Sequence, residues 1–176
     1  MSRTVALLRG VNVSGSHKIR MEDLRAMCEG MGLEEVRTYI QSGNVVFRGA
    51  KGQVGRELEE AIARTFGFRA AVVIRTAEEL RTIVAQNPFP GLDPKKVVVT
   101  FLDRVPPPEA VEKVRQMEIS PEEVRISGGD MYIHFPLGQG VSKLPMARIE
   151  RTLGATGTSR NWNSVMALLA MAEAAS

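Results

Sequence analysis

The chain has one cysteine, Cys28, and two histidines, His17 and His134, among its 176 residues. A lone cysteine excludes an internal disulfide and suits a reducing compartment, so a cytoplasmic location is expected. The histidines are far apart in sequence and neither has a cysteine at metal-ligand spacing, so neither a metal nor another cofactor is expected. No apolar run reaches the roughly 18 residues of a membrane span, and the N-terminus lacks the apolar core of a signal peptide. A soluble protein with no membrane partner is expected. No G-x-S-x-G nucleophile elbow occurs. Aromatic residues make up only 5% of the chain, a poor supply for base stacking.

Apolar residues account for 44% and charged residues for 24%, a composition that can bury an ordinary core. The net charge is +3. Up to Pro88 there are 13 Lys/Arg against 10 Asp/Glu, and beyond it 10 against 10, so the excess lies in the first half. It is too small to mark a dedicated nucleic-acid protein.

Periodicity divides the chain into alternating elements. Thr4 to Leu8 reads as a buried strand, and Leu24, Met27, Cys28 and Met31 share one face of a helix over 22–31. Strands at 36–40 and 45–47 flank Ser42-Gly43-Asn44 as a hairpin. A helix over 54–66 and a strand over 70–74 complete the order β-α-β-β-α-β, the ferredoxin-like or split-βαβ signature. Thr76 and Glu79 form a capping box for a helix reaching about Ala85. Three prolines and a glycine make 87–96 a linker, which sets subdomains at 1–86 and 97–176. The second half reads β-α-β-β-α: a strand at 97–102, a helix to Met117, a hairpin of 124–126 and 131–135, and a helix over 144–153. A final helix over 159–174 stands where a fourth strand would be, and no residue-level repeat is visible.

Three stretches could carry chemistry. In the loop after the first strand, Gly10 and Gly15 permit turns that bring backbone N–H groups close to a ligand. Arg9, Asn12 and Lys18 add donors and positive charge. The two glycines have P-loop spacing, but Ser16 and His17 stand where Lys and Ser/Thr are required. The same composition also suits a plain strand-to-helix loop. In the hairpin, alternation places Arg37, Tyr39 and Gln41 on the sheet face away from the helices, with Arg75 beside them. That face could meet a partner or be covered by the second half. Near the C-terminus, Arg160 and Asn161 fall in the first turn of the final helix, where a cation is unfavourable unless an acid or a bound anion offsets it. Cys28 sits on an apolar helix face and reads as core. The acidic pairs Glu34-Glu35, Glu59-Glu60, Glu78-Glu79 and Glu122-Glu123 read as solvent-facing rather than catalytic.

With "ALLRGVNVSG" (6–15), "LRAMCEGMGLEEVRTYIQSGNVVF" (24–47), "KL" (143–144) and "TSRNWNSV" (158–165), the chain resembles the "domain of unknown function 1697" family of bacterial proteins. The resemblance extends nearly end to end and implies an α+β architecture of two ferredoxin-like halves with mostly antiparallel sheets. It implies no activity. Two departures stand out, Ser14-Gly15 where Gly-Gly is usual and Pro145 where a polar residue is frequent. From the residues themselves the expectation is an anion-binding module for a phosphate-bearing small molecule or a nucleic-acid segment. Its site would be a basic, amide-rich cleft between the halves, comprising Arg9, Gly10, Asn12, Gly15, Lys18, Asn44, Arg160 and Asn161. A hydrolase or transferase using the same cleft, and an interaction module using the Arg37/Tyr39/Gln41 face, are the alternatives.

Overall fold

The computed structural model describes residues 2–13 and 15–174. The first repeat of elements is β1 (Arg3–Leu8), α1 (Met21–Gly30), β2 (Glu34–Thr38), β3 (Asn44–Arg48), α2 (Val54–Phe66), β4 (Val72–Thr76) and α3 (Ala77–Ala85). The second is β5 (Val97–Leu102), α4 (Pro108–Arg115), β6 (Glu123–Ser127), β7 (Asp130–His134), α5 (Met146–Leu153), β8 (Gly157–Asn161) and α6 (Trp162–Glu173). Each repeat builds one antiparallel four-stranded sheet, in the orders β2-β3-β1-β4 and β6-β7-β5-β8. Both follow the ferredoxin-like plan.

One element differs from expectation. Residues 157–161 form β8, pairing Gly157 with Leu102 and Asn161 with Val98, and α6 begins only at Trp162. The helical pattern of the apolar residues after Trp162 extends the expected helix too far back. Pairing along the free edge of β5 claims the backbone of Ser159, Arg160 and Asn161 for a strand, so the helix starts later. The second repeat is therefore complete.

The repeat extends to individual residues once the strands are aligned by register. Leu8 N–H donates to Gly43 O and Leu102 N–H to Gly129 O, both at 2.9 Å. Arg9 N–H donates to Ala71 O at 2.9 Å and Asp103 N–H to Thr156 O at 2.8 Å. A helix glutamate captures the first N–H of each fourth strand, Glu59 Oε2 from Val72 and Glu150 Oε2 from Gly157, both at 2.8 Å. Thr76 Oγ1 accepts from Glu79 N–H at 3.1 Å, and Asn161 Oδ1 accepts from Ser164 N–H at 2.9 Å, capping α3 and α6 at equivalent places. In α3 the capping box closes with Thr76 N–H donating to Glu79 Oε1 at 2.9 Å. The residues at these positions mostly differ between repeats, which is why the chain shows no readable sequence repeat.

Each sheet carries helices on one face. In the first, Leu24 and Cys28 of α1 and Leu58 and Ile62 of α2 pack on Ala6, Leu8, Val45 and Phe47. In the second, Val114 of α4 and Ile149 and Leu153 of α5 pack on Val98, Leu102, Met131 and Ile133. Residues up to Thr82 with those from Ala167 onward form one compact unit, and Ile83–Met166 form the other. The proline-rich stretch 87–96 thus lies inside the second unit, and α6 contributes to both. No helix among the described residues is long and apolar enough to cross a membrane.

Cys28 is fully buried, and burial, helped by the charge of Glu29, pushes its thiol up to about 12. A thiol reagent at neutral pH should leave the native protein unlabelled and react only after denaturation, as mass spectrometry would show. At Gly157 an added Cβ would lie 2.6 Å from Thr100 Cγ2 and 2.8 Å from Phe101 O, with backbone on one side that cannot yield. Gly157→Ala should cost about 1–3 kcal/mol in chemical denaturation, the range for overpacking a filled site.

Candidate functional site

The loop between β1 and α1 folds back on itself. Asn12 N–H donates to His17 O at 3.1 Å, Ser16 N–H donates to Val13 O at 3.2 Å, and Val13 and Ser16 form an isolated antiparallel bridge. Gly10 and Gly15 take φ of 69° and 72°, where glycine carries no steric penalty. Asn12 at 59° and His17 at 49° share that region, which asparagine and histidine tolerate better than most residues.

The Asn12 side chain holds this loop in place. Its Nδ2 donates to Ile19 O at 2.8 Å and to Gln41 O at 2.7 Å, and its Oδ1 accepts from Ile19 N–H at 2.8 Å. One amide thereby ties the loop's return limb to the hairpin turn between β2 and β3. His17 adds a second anchor, its ring stacked on Phe68 with centroids 4.4 Å apart and planes 6° from parallel.

A cavity of about 530 Å³ lies behind the loop, within the first unit. Three of the expected residues line it, Asn12, Gly15 and Lys18. Sequence reasoning missed Ile19, Asp23 and Phe66, saw Arg20 as a loop cation without including it in the site, and placed Gln41 elsewhere. Asp23 lies in the first turn of α1 and Phe66 ends α2 on its apolar side, so both were visible as helix-terminal residues pointing toward the loop's end of the sheet. The pocket combines charge of both signs with an apolar wall. Arg20 pairs with Glu22. Lys18, by contrast, is exposed and forms no ion pair with a described residue. Glu22 and Asp23 occupy the first turn of α1, so the positive end of that helix is already offset, and Lys18 carries the attraction for an anion.

The other expected residues are placed differently. Arg9 and Gly10 start the loop but do not line the cavity. Asn44 is fully buried and donates to Tyr39 O at 2.8 Å and Ser42 Oγ at 3.0 Å, so it builds the hairpin turn. Arg160 lies in β8 rather than in a helical first turn, which removes the macrodipole conflict that singled it out. It is 6% exposed and donates to Thr158 Oγ1 at 2.7 Å and Ser159 O at 2.9 Å, and burial lowers its guanidinium to about 10. Asn161 caps α6. The loop and Arg160 belong to different compact units.

The expected sheet face also changes. β2 stops at Thr38, so Arg37 lies in the strand while Tyr39 and Gln41 belong to the turn. Ile40, between them, is held at φ 49° although β-branched and 48% exposed, a strained position. Across the sheet the row reads Arg37, Val46, Val5, Arg75. Both valines are fully buried, so the centre of that face is neither aromatic nor open. Among the acidic pairs, Glu122 is buried and accepts from Ser142 Oγ at 2.5 Å instead of facing solvent. Among the described residues no group of three His, Cys, Asp or Glu side chains could hold a metal ion.

Asn12→Ala should cost about 1–3 kcal/mol, because Ile19 N–H and Ile19 O lose their partner, and should expose the Ile19 amide to fast hydrogen exchange. Exchange at Ile19 as slow as in the parent protein would show that the loop is held by other contacts.

Residues 1–132 match a family model described as "Protein of unknown function (DUF1697)". A solved structure of a conserved bacterial protein from Streptococcus pneumoniae superposes with a TM-score of 0.79 at 23% identity, covering 99% of each chain. At that identity the likeness speaks for the fold alone. No curated protein matches the chain. The sequence motifs, the strand orders and the family match agree, and the chain belongs to the family of proteins of unknown function DUF1697.

Proposed function

We propose that the pocket behind the β1–α1 loop binds a phosphate-bearing ligand, and that the protein is a binding module of the cytoplasm. One observation carries this reading. The second repeat makes the same turn from its first strand into its first helix with residues 103–107, whereas the first repeat uses residues 9–20. A ferredoxin-like unit in this chain therefore folds with a connection less than half as long. The extra length of the first loop is not needed to close the fold, and loops that exceed structural need tend to carry function.

The added residues are the ones that shape the cavity. They bring Asn12 as a rigid tie, Gly15 where backbone can approach a ligand, and Lys18 as an uncommitted cation. The shorter loop of the second repeat starts with Asp103 and Arg104, which pair with each other at 3.6 Å, and contains two prolines, Pro106 and Pro107, so its one cation faces an adjacent acid and it offers fewer N–H donors. At this place the first repeat offers a cation without an ion-pair partner among the described residues, and more backbone donors than the second.

The test is calorimetric titration of inorganic phosphate, pyrophosphate and a short single-stranded oligonucleotide at two salt concentrations. Affinity should fall as salt rises, through screening and counterion release. Lys18→Ala should weaken binding by about 1.5–3 kcal/mol, the range for a hydrogen bond to a charged group. Binding that is indifferent both to salt and to Lys18 would overturn the proposal.

A further inference from the structure

We infer, resting on the phosphate proposal above, that the occupant of this pocket is a nucleoside monophosphate. The uncommitted groups of the cavity match the parts of such a molecule one for one. The side chains of Lys18, Asp23 and Gln41 form no hydrogen bond or ion pair with any described residue. A lysine ammonium suits the phosphate as a point charge. A carboxylate has no use for a phosphate, since the two repel, but it accepts hydrogen bonds from vicinal sugar hydroxyls, the task an acidic residue performs in dinucleotide-binding folds. A primary amide reads the edge of a base through a donor and an acceptor side by side. Phe66 and Ile19 supply the apolar wall on which a planar ring rests.

Charge limits the phosphate to one. The cations lining the cavity are Lys18 and Arg20, with Arg20 engaged by Glu22 and Asp23 present as an uncompensated acid. A di- or triphosphate would bring more negative charge than this surface balances. The volume of about 530 Å³ falls within the range of small-ligand pockets. Gln41 is well placed for a reading role because its own carbonyl is held by Asn12 at 2.7 Å, which fixes the backbone from which its amide projects.

The experiment is titration of the full chain with AMP, GMP, CMP, UMP, adenosine, ribose 5-phosphate, ATP and inorganic phosphate. At least one monophosphate should bind ten times more tightly than inorganic phosphate, and more tightly than ATP. Asp23→Asn should weaken that nucleotide at least fivefold and leave inorganic phosphate unchanged or improved, whereas Lys18→Ala should weaken both. Both residues are exposed, so the variants should retain the parent circular dichroism spectrum. Equal affinity for phosphate and every monophosphate, with Asp23→Asn silent, would overturn the nucleoside assignment and leave the phosphate proposal standing. Preference for ATP over all monophosphates would overturn the limit to one phosphate. Failure of phosphate and nucleotides alike would remove both.

Discussion

Everything in either repeat hangs on a central strand that is paired on both sides. β1 lies between β3 and β4, and β5 lies between β7 and β8, with a ladder of five registered pairs along each edge. That double pairing consumes the strand's backbone groups and forces its side chains to alternate between two buried faces, so Val5, Ala6, Leu7 and Leu8 are all fully buried. The strand can end only where its neighbours stop offering carbonyls. It does so at Leu8 and Arg9, which take the carbonyls of Gly43 and Ala71. The loop that shapes the pocket starts at that point, and its position follows from the sheet.

The same small devices recur in both repeats, some with the same residue and some with another. Glu59 and Glu150 perform one task, Thr76 and Asn161 another. Arg75 and Arg160 occupy equivalent register positions, opposite Val5 and Val99, and each bends back to donate to the carbonyl just before it, Ile74 O at 3.0 Å and Ser159 O at 2.9 Å. The glutamate and arginine devices keep the residue type, while the cap of the last helix keeps only the hydrogen-bonding capacity, which several side chains can satisfy. A sequence comparison of the halves has little to find, since Val72 in one repeat is Gly157 in the other.

Much of the fold was legible because apolar periodicity reports burial directly. The bounds of α2 and the Thr76–Glu79 capping box follow from spacing alone. Where expectation failed, hydrogen bonds decided rather than hydrophobicity. β8 is a strand because β5 has an edge to offer, which nothing in "GTSRN" announces. Asn12 and Asn44 attracted notice as polar residues in glycine-rich turns, and both are instead committed to backbone groups inside the protein. An asparagine that holds a turn and one that holds a ligand look alike in a sequence. Gln41 was misplaced by one short irregularity, since the strand that should have oriented it stops at Thr38.

The long β1–α1 connection also has a meaning in polymer terms. Lengthening a flexible closure from that of the second repeat to that of the first costs roughly 0.8 kcal/mol of chain entropy, because the penalty grows only with the logarithm of length. The Asn12 amide alone contributes three hydrogen bonds to the longer loop. At about 1 kcal/mol net for each, they more than offset that penalty. The second repeat has grown elsewhere, between β7 and α5, where residues 135–145 replace the short 49–53 of the first. The first insertion lies at the end of its central strand β1, and the second leaves β7 beside the start of its central strand β5. Each copy of the fold thus has two points at which length can be added at little thermodynamic cost, and each has used a different one.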